Sequence, residues 1–227
     1  MRIASFDTET TGIDLDKDEV VTASIVSVVD GKFDTKEWLL KTNIESNPSA
    51  YSKHLIDRET QLSDGLDYES TIIEIARTLV NDYDYIITAN GTFDLTMVQN
   101  SFDRTNGEDY FDLSSISMID IMVLDKYLDK YRRGSRKLMD LADHYRVNYE
   151  GIPHNSTFDA ILTYGIYVMM LPQLEDMGHS VRDLPHLCEV EHRDQRRNLA
   201  EYFERVGKRA TVTTGYPVNT GKIETGV

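Results

Sequence analysis

The sequence is poor in cysteine, proline and long apolar stretches, and each scarcity excludes a class of protein. A single cysteine, Cys188, rules out an internal disulfide framework and an all-cysteine zinc site within the chain. Five prolines and thirteen glycines in 227 residues argue against a disordered chain. No apolar stretch approaches the length of a membrane span, and the N-terminus lacks a basic segment followed by an apolar signal core. We therefore expect a globular protein of the cytoplasm with no membrane partner.

Positive charge is also scarce. Lysine and arginine number 24 against 39 aspartate and glutamate residues, which gives a net charge of -15. Nucleic-acid binding usually leaves a basic footprint, so the global charge favours another substrate. Metal ions held by carboxylates would invert the local field, however, so the global charge says little about a site. One segment, residues 130–137, holds five cations and is compatible with either a solvated loop or a nucleic-acid contact.

The hydrophobic pattern predicts a three-strand meander followed by alternating strands and helices. Strands are predicted at 2–6, 19–29 and 33–42, with Asp30-Gly31 as the tight turn of a hairpin. The later elements are a helix near Asn47-Pro48, a helix at 70–80, a strand at 83–89 that enters a helix after Asn90, a strand-to-helix unit at 116–128, a helix from Ser135 to Tyr145, and a helix capped by Asn155 or Ser156. This order indicates an α/β fold with a mixed sheet: an antiparallel meander plus parallel strands, flanked by helices.

The composition changes near residue 172. We expect residues 1–172 to form one domain and residues 173–227 to form a helical extension with a tail, docked on the domain or binding a partner. A charged helix is predicted within 181–208. Residues 211–227 contain few large apolar side chains, so they are either mobile or strapped to the surface by Tyr216-Pro217-Val218.

Two carboxylates stand at the end of the first predicted strand. Side chains two residues apart on a strand project to the same side, so Asp7 and Glu9 converge. Such oxygen ligands suit a hard divalent cation, either Mg²⁺ or Mn²⁺. The pair alone is half of a metal site that many hydrolases could share.

Two more aspartates occupy the first turns of predicted helices. A lone Asp94 or Asp159 in that position would ordinarily serve the helix dipole. His154 precedes the cap of the second helix, where a loop residue can act as a general base while Asp159 stays fixed. Asp94 follows Asn90 and Phe93; we expect Asn90 to be a helix cap and Phe93 a core residue or a stacking surface.

Two other patterns lack required residues. Asp14-x-Asp16-x-Asp18 begins like an EF-hand loop, but Glu19 stands where glycine is needed and Ile25 where the bidentate glutamate is needed. The segment 215–222 resembles a phosphate-binding loop, but Ile223 replaces the required serine or threonine.

The combined motifs resemble those of the DnaQ-like exonucleases of the DEDD superfamily, in its histidine-bearing (DEDDh) subgroup. This family includes polymerase proofreading subunits, oligoribonucleases and ribonuclease T-like enzymes. The matching residues, in the family's order, are Asp7-x-Glu9-Thr10-Thr11-Gly12, Asn90-x-x-Phe93-Asp94, and His154 five positions before Asp159. The tyrosine-bearing subgroup is disfavoured because Asn155 stands where its tyrosine would be. Ser156 departs from the family's usual alanine. Residues 132–138, 145–147 and 216–218 also look like exonuclease domain proteins of actinobacteria and their phages.

The resemblance implies a ribonuclease H-like fold and a metal-dependent 3′→5′ exonuclease releasing nucleoside 5′-monophosphates from single-stranded DNA or RNA 3′ ends. Asp7, Glu9, Asp94 and Asp159 would hold two divalent cations, with His154 as general base. Thr10, Thr11 and Gly12 would receive the terminal nucleotide, with His54, Asn90 and Phe93 as further substrate contacts. DNA proofreading or end trimming, with a DNA polymerase or another replication protein as partner, is the leading role. The alternatives are an oligoribonuclease-like or ribonuclease T-like RNA exonuclease and a non-catalytic partner-binding module. A phage-encoded protein would act in the host cytoplasm.

Overall fold

A six-stranded mixed sheet forms the centre of the protein in a computed structural model that describes residues 1–105 and 111–226. The strand order is β4-β3-β2-β1-β5-β6. The strands are β1 (Ile3–Thr10), β2 (Val20–Val29), β3 (Lys32–Lys41), β4 (Leu66–Asp67), β5 (Tyr85–Thr88) and β6 (Met118–Asp120). Strands β1, β2 and β3 form the predicted antiparallel meander, whereas β5 and β6 continue the sheet in parallel from β1. The expected mixed α/β architecture is confirmed.

Turn chemistry explains the hairpin between β2 and β3. Asp30 and Gly31 both have positive φ, 51° and 74°, as a two-residue hairpin turn requires. Val29 pairs with Lys32 across that turn, which fixes the register of the long β2–β3 ladder. The alternating side chains of β2 are buried on both faces along most of the strand because helices cover both sides of the sheet.

Eight helices flank the sheet in the described ranges. They are α1 (Pro48–His54), α2 (Arg58–Asp64), α3 (Tyr68–Asn81), α4 (Gly91–Asp103), α5 (Ile121–Leu128), α6 (Leu138–His144), α7 (Ser156–Asp176) and α8 (Leu184–Arg205), with a short 3₁₀ turn at Leu113–Ser115. One hydrophobic cluster lies between β1–β3 and helices α3 and α4. A second lies under α5–α8 and contains Cys188, which is fully buried.

Three sequence-based expectations about elements need correction. Helix α6 begins at Leu138 rather than at Ser135, because the Ser135 hydroxyl accepts a hydrogen bond from Lys137 N in a turn that precedes the helix. His54, which the family resemblance places in the loop after the third strand, instead lies at the end of α1. Asn90 occupies the N-cap position of α4, as expected, but it has the left-handed conformation and its side chain makes no cap hydrogen bond.

The C-terminal region packs on the rest of the chain. Helix α7 crosses the position of the expected domain boundary and continues to Asp176 with Pro172 inside it. Helix α8 buries Leu184 and Cys188 in the second cluster, and a hairpin of β7 (Ala210–Thr213) and β8 (Lys222–Thr225) follows it. Val227, the last residue of the predicted tail, lies outside the described ranges.

Residues 216–219 strap the C-terminal segment to the core. Tyr216 donates from its hydroxyl to Met118 O at 2.9 Å, Val218 is buried in the first cluster, and Asn219 N donates to the Thr96 hydroxyl at 2.8 Å. Of the two states expected for this tail, the structure has the strapped one. Among the helices described here, none combines the length and the apolar composition that crossing a bilayer requires.

Candidate active site

One cleft of about 800 Å³ brings together the acidic residues of the three sequence motifs. Its walls include Asp7 and Glu9 from β1, Asp94 from α4, and His154 and Asp159 from the start of α7. Strand β1 lies centrally in the sheet, and α4 and α7 both pack against it. Residues separated by more than 150 positions therefore meet at one end of β1.

Each helix-borne aspartate is fixed by a specific contact. Asp94 Oδ1 accepts a hydrogen bond from the Thr8 hydroxyl at 2.5 Å. Asp159 Oδ2 accepts from His154 N at 3.2 Å, and Asn155 caps the helix by accepting from Phe158 N at 2.9 Å. The buried Ser156 hydroxyl lies within hydrogen-bonding distance of Thr22 and Ser24 on β2, which explains why serine is accommodated where the family usually has alanine.

Burial is the main cause of the raised pKa values of the four carboxyl groups. It raises the pKa of Glu9 to about 8, with Asp159 and Asp94 adding to the shift. Burial likewise raises the pKa of Asp94 to about 7 and that of Asp159 to about 6. The pKa of Asp7 is raised well above its ordinary value, first by burial and then by the charges of Asp94, Asp159 and Glu9. Concentrating these acids is costly unless a cation neutralises them.

The donor set fits a hard divalent cation. One ligand atom each from Glu9, His154 and Asp159 lies within 4.8 Å of the other two. Asp159 Oδ1 is buried and has no hydrogen-bond partner among the described residues, so it is free to bind a cation. Carboxylate oxygens are the preferred ligands of Mg²⁺ and Mn²⁺. The structure thus supplies a candidate metal centre of the predicted chemical type.

His154 stands at the mouth of this centre in a left-handed backbone conformation, with φ 66°. Its side chain is exposed on the loop that precedes α7, as the sequence predicts. Partial burial lowers the pKa of His154, and the charges of Lys53 and Lys137 lower it further. The neutral imidazole favoured by these effects is the form that accepts a proton.

The predicted substrate-binding residues fall into two groups. Thr10, Gly12, Asn90 and Phe93 line the cleft. Thr11 is instead buried; its hydroxyl donates to Asp18 and accepts from Glu19 N. His54 is buried at the end of α1, where its Nδ1 accepts from Ile56 N at 3.0 Å, and neither it nor Thr11 belongs to the described cleft lining. A side chain at Gly12 would collide with Asp18 and Asn47, so close packing of the loop requires this glycine.

Several cleft residues escaped sequence reasoning. Lys53 is an exposed cation of the lining, and Ile13, 81% exposed, is an apolar residue of it; the exposed Lys137, which also lines the cleft, belongs to the basic segment 130–137 noted in the sequence. Asp120 lies behind the cleft: its Oδ2 accepts from Gly91 N at 3.0 Å and its Oδ1 accepts from Met122 N at 2.8 Å. Asp120 ends the short strand β6 and caps α5, and a carboxylate at a helix start can be recognised in a sequence. Its contact with Gly91 could not be predicted in this way, because it depends on the tertiary fold.

The two rejected motifs have other roles. Asp18 binds Thr11 and Asp14 N, and Asp14 forms an ion pair with Lys17, so the acidic loop is closed by its own contacts. Residues 215–222 include the strap and the start of β8. Neither arrangement is that of the calcium or phosphate loop that each sequence superficially resembles.

Comparisons with known proteins agree with this geometry. The family model RNase_T, described as an exonuclease, matches residues 5–167. The PolC-type DNA polymerase III of Staphylococcus saprophyticus is 27% identical over 183 residues, which cover 79% of this chain and 12% of the polymerase. The corresponding polymerase of Staphylococcus haemolyticus is 27% identical over 76% of this chain. The chain spans only about an eighth of the length of these relatives, 12% in each case. The likeness to actinobacterial and phage proteins stays a prediction.

Solved exonuclease structures share the fold. Exonuclease X in complex with 5′ overhanging duplex DNA has a TM-score of 0.58 and 18% identity, covering 82% of this chain and 99% of that protein. Exonuclease I of E. coli in complex with a dT13 oligonucleotide has a TM-score of 0.64 and 16% identity, covering 78% of this chain and 43% of that protein. Because the family model covers well over half of the chain and the fold matches, the chain belongs to the RNase_T exonuclease family and is a nuclease of the DnaQ-like, ribonuclease H-like type.

Proposed function

We propose that the protein is a metal-dependent 3′→5′ exonuclease that removes nucleotides from single-stranded ends and releases nucleoside 5′-monophosphates. The observation that carries this proposal is the meeting of Asp7, Glu9, Asp94 and Asp159 with His154 in one cleft. Four acids with raised pKa values have no evident structural use together, whereas a phosphodiester hydrolase needs such a set. This argues against the non-catalytic alternative.

The four carboxylates would hold two divalent cations, Mg²⁺ or Mn²⁺. Such ions, when bound, activate the attacking water and neutralise charge on the scissile phosphate and the leaving oxygen. Pop2p of S. pombe, which shares this fold at a TM-score of 0.61 and 16% identity, has been solved in a Mg²⁺- and Mn²⁺-bound form. That precedent supports the choice of metals.

The side chains around the cluster have distinct tasks in this proposal. His154 takes the proton of the attacking water on a ring nitrogen, for which its lowered pKa suits it. Thr8 holds Asp94 in place. Thr10, Gly12, Asn90 and Phe93 surround the terminal nucleotide, and Lys53 and Lys137 offer positive charge to its phosphates.

DNA is the proposed substrate because the sequence relatives are DNA polymerases. The physiological role would be proofreading or end trimming, with a polymerase or another replication protein as partner. Preference between DNA and RNA depends on contacts with the 2′ position, so an RNA substrate is treated as an outcome of the test.

The test uses 5′-labelled single-stranded DNA and RNA of the same sequence, incubated with Mg²⁺, with Mn²⁺ or with chelator. We expect a ladder that shortens from the 3′ end of DNA with either metal, no product with chelator, and no cleavage of circular single-stranded DNA. Asp7→Asn should lower the rate by at least about 1,000-fold, because losing a metal ligand removes transition-state stabilisation of several kcal/mol. Asp16→Asn, the same change at an exposed neighbouring site, is the matched control.

Each component of the proposal can fail separately. A ladder on RNA alone would favour the ribonuclease T-like alternative. Intact DNA and RNA under every condition would overturn the catalytic proposal in favour of a binding module. Full activity of the Asp7→Asn protein would show that the carboxylate cluster is not the catalytic centre.

A further inference from the structure

A second groove, of about 600 Å³, lies between α5 and α8, and the cleft function does not use it. Its lining includes three long cationic side chains and three aromatic rings, namely Lys126, Lys130, Arg205, Tyr127, Tyr131 and Tyr202. Three acidic residues of α8, Glu191, Asp194 and Glu201, line the same groove and equal the cations in number, whereas α5 and the segment after it supply only Lys126, Tyr127, Lys130 and Tyr131. The groove is therefore asymmetric, with a basic and aromatic wall on the α5 side.

Two of the rings are exposed and each has a cation beside it. Tyr131 is 86% exposed and Tyr202 is 48% exposed. Lys130 Nζ lies 6.0 Å from the Tyr131 ring centroid, and the Arg205 guanidinium lies 5.6 Å from that of Tyr202. Open aromatic faces next to cations match the needs of single-stranded nucleic acid, whose bases stack while its phosphates seek positive charge.

Lys126, on the α5 side of the groove, lies near three other cations although the chain as a whole is acidic. The pKa of Lys126 is lowered by partial burial and then by the charges of Arg136, Lys130 and Arg196. Three cations thus repel the ammonium of Lys126. A polyanion placed here would relieve that repulsion, whereas a cationic or neutral ligand would not.

The groove and the catalytic cleft are joined along α5. Met122 lines the cleft and Lys126 lines the groove. These residues are four apart and therefore lie on the same helix face, roughly 6 Å from each other. That separation is about the length of one nucleotide along a strand.

The basic segment 130–137 forms a second connection. Lys130 and Tyr131 line the groove, and Lys137 lines the cleft. Between them, Arg132 Nη2 and Arg136 Nε bind the fully buried carboxylate of Asp125 at 3.0 and 2.6 Å. The segment is thus anchored in the middle and presents its two ends to the two cavities.

From this arrangement we propose that the α5–α8 groove is an extended binding site for single-stranded nucleic acid, holding the part of the strand 5′ of the nucleotides in the cleft. The proposal rests on the proposed function, because the 3′ end of the same strand lies at the carboxylate cluster. Its ligand is a phosphate backbone with unstacked bases. The sequence alone left residues 130–137 compatible with either a solvated loop or a nucleic-acid contact. The proposal assigns the exposed cations of this segment to contact with the nucleic-acid strand.

The test compares a short and a long substrate, dT4 and dT16, in the wild type and in Lys126→Gln/Lys130→Gln. We expect the ratio of kcat/KM for dT16 to that for dT4 to fall about tenfold in the variant, because dT16 extends along the whole groove, whereas dT4 reaches at most its near end. The slope of log KM for dT16 against log salt concentration should fall by about 1.4, or ~0.7 for each lost phosphate contact. Lys32→Gln/Lys41→Gln, the same charge change on β3 at the opposite side of the sheet, should leave both quantities at the wild-type value.

Tyr131→Ser provides a second variant, since this ring is 86% exposed and its loss does not touch the core. It should lower the same ratio without changing the salt slope, because stacking carries no charge. An unchanged ratio in both groove variants, or an equal loss on dT4 and dT16, overturns the proposal.

A binding measurement separates this proposal from the catalytic one. Fluorescence anisotropy of 5′-labelled dT16 at low salt, with chelator present, needs no hydrolysis. Weaker binding to the double variant than to the Lys32→Gln/Lys41→Gln control supports the groove even if the protein degrades nothing. Equal binding, or no binding by the wild type, overturns the groove assignment whatever the nuclease assay gives.

Discussion

Desolvation sets the protonation of the acidic cluster more than mutual repulsion does. It is the largest cause of the raised pKa of all four carboxyl groups, and for Asp159 it is the cause that raises the pKa, opposed by the hydrogen bond from His154 N. Glu9 is the clearest case, since its pKa rises to about 8 and only Lys53 opposes the rise. In the metal-free protein, therefore, the carboxyl group of Glu9 should titrate with a pKa of about 8.

This shift predicts a pH-dependent stability difference between the wild type and Glu9→Gln. Between the unfolded pKa near 4.5 and the folded pKa of about 8, the folded wild type binds more protons than the unfolded chain, so its free energy of unfolding falls as pH rises. Glutamine does not titrate. We expect the variant to match the wild type at pH 5 and to be more stable by about 4 kcal/mol at pH 8.5 in chelator.

Urea unfolding at the two pH values measures this difference. Asp16→Asn, a substitution at an exposed position, should show no pH-dependent difference in stability from the wild type. Adding Mn²⁺ at pH 8.5 should reverse the order, because the wild type gains a ligand-bound state that the variant binds less well. A Glu9→Gln advantage of equal size at both pH values would contradict the raised pKa.

At the residue scale, sequence reasoning predicted which side chains meet in the cleft but not what supports them. Strand geometry predicted that Asp7 and Glu9 converge, whereas the family's motifs were needed to add Asp94, His154 and Asp159 to them. Thr8 and Asp120 were not predicted, because their roles are contacts with Asp94 and Gly91 that only the packed sheet creates. His54 was placed at the substrate by family likeness, and its burial in α1 removes it from the cleft lining.

At the scale of elements, one buried carboxylate organises the segment between α5 and α6. Asp125 is completely buried on α5 and binds Arg132, Arg136 and the Tyr145 hydroxyl, the last at 3.0 Å. Arg136 Nε donates to Asp125 Oδ2 at 2.6 Å, and Arg136 lies before the start of α6. This tertiary contact accompanies the late start of α6 at Leu138, which local capping signals alone did not predict.

Asp125→Asn should destabilise the protein by about 3 kcal/mol, because it leaves two cations without their buried counter-charge. Urea unfolding at pH 7 measures the change. Asp129→Asn is the control, since Asp129 is an exposed neighbour whose side chain accepts one hydrogen bond from Tyr131 N. Comparable losses in the two variants would show that the buried ion cluster contributes little to the fold.

Other elements followed from local rules. The Asp30-Gly31 turn matches the predicted hairpin, α3 ends at Asn81, one residue beyond the predicted helix, and Gly207, with φ 66°, follows α8 as a glycine commonly follows a helix end. Helix α2 was missed although Asp57 caps it by accepting from Thr60 N at 2.7 Å. A seven-residue helix has too few periodic positions to reveal an apolar stripe, so its cap was the one available signal.

At the scale of the whole molecule, the C-terminal segment completes the core. Tyr216 packs against both hydrophobic clusters, and Val218 is 5% exposed within the first. The sequence could not choose between a mobile and a strapped tail, because three residues among many polar ones carry the attachment. Their partners, Met118 and Thr96, lie about 100 positions away.

Val218→Ala should therefore destabilise the entire fold, by about 2 kcal/mol, rather than loosen only the tail. We expect one cooperative urea transition with a lower midpoint and an unchanged m-value. Ile223→Ala should lower the free energy of unfolding much less, because Ile223 of the hairpin is 37% exposed. An independent early transition of the tail in Val218→Ala would show that the segment is only loosely attached.

Asp120 connects the starts of two helices, α4 and α5. One of its oxygens holds the first residue of α4, the helix of Asp94, while the other holds the first turn of α5. Met122 and Lys126 lie on that same α5, facing the cleft and the groove. A shift of α5 would therefore change the hydrogen bond that Asp120 accepts from the first residue of the helix that carries Asp94. Strand binding along α5, in the proposed groove, would then alter the position of Asp94, with Asp120 as the connecting residue.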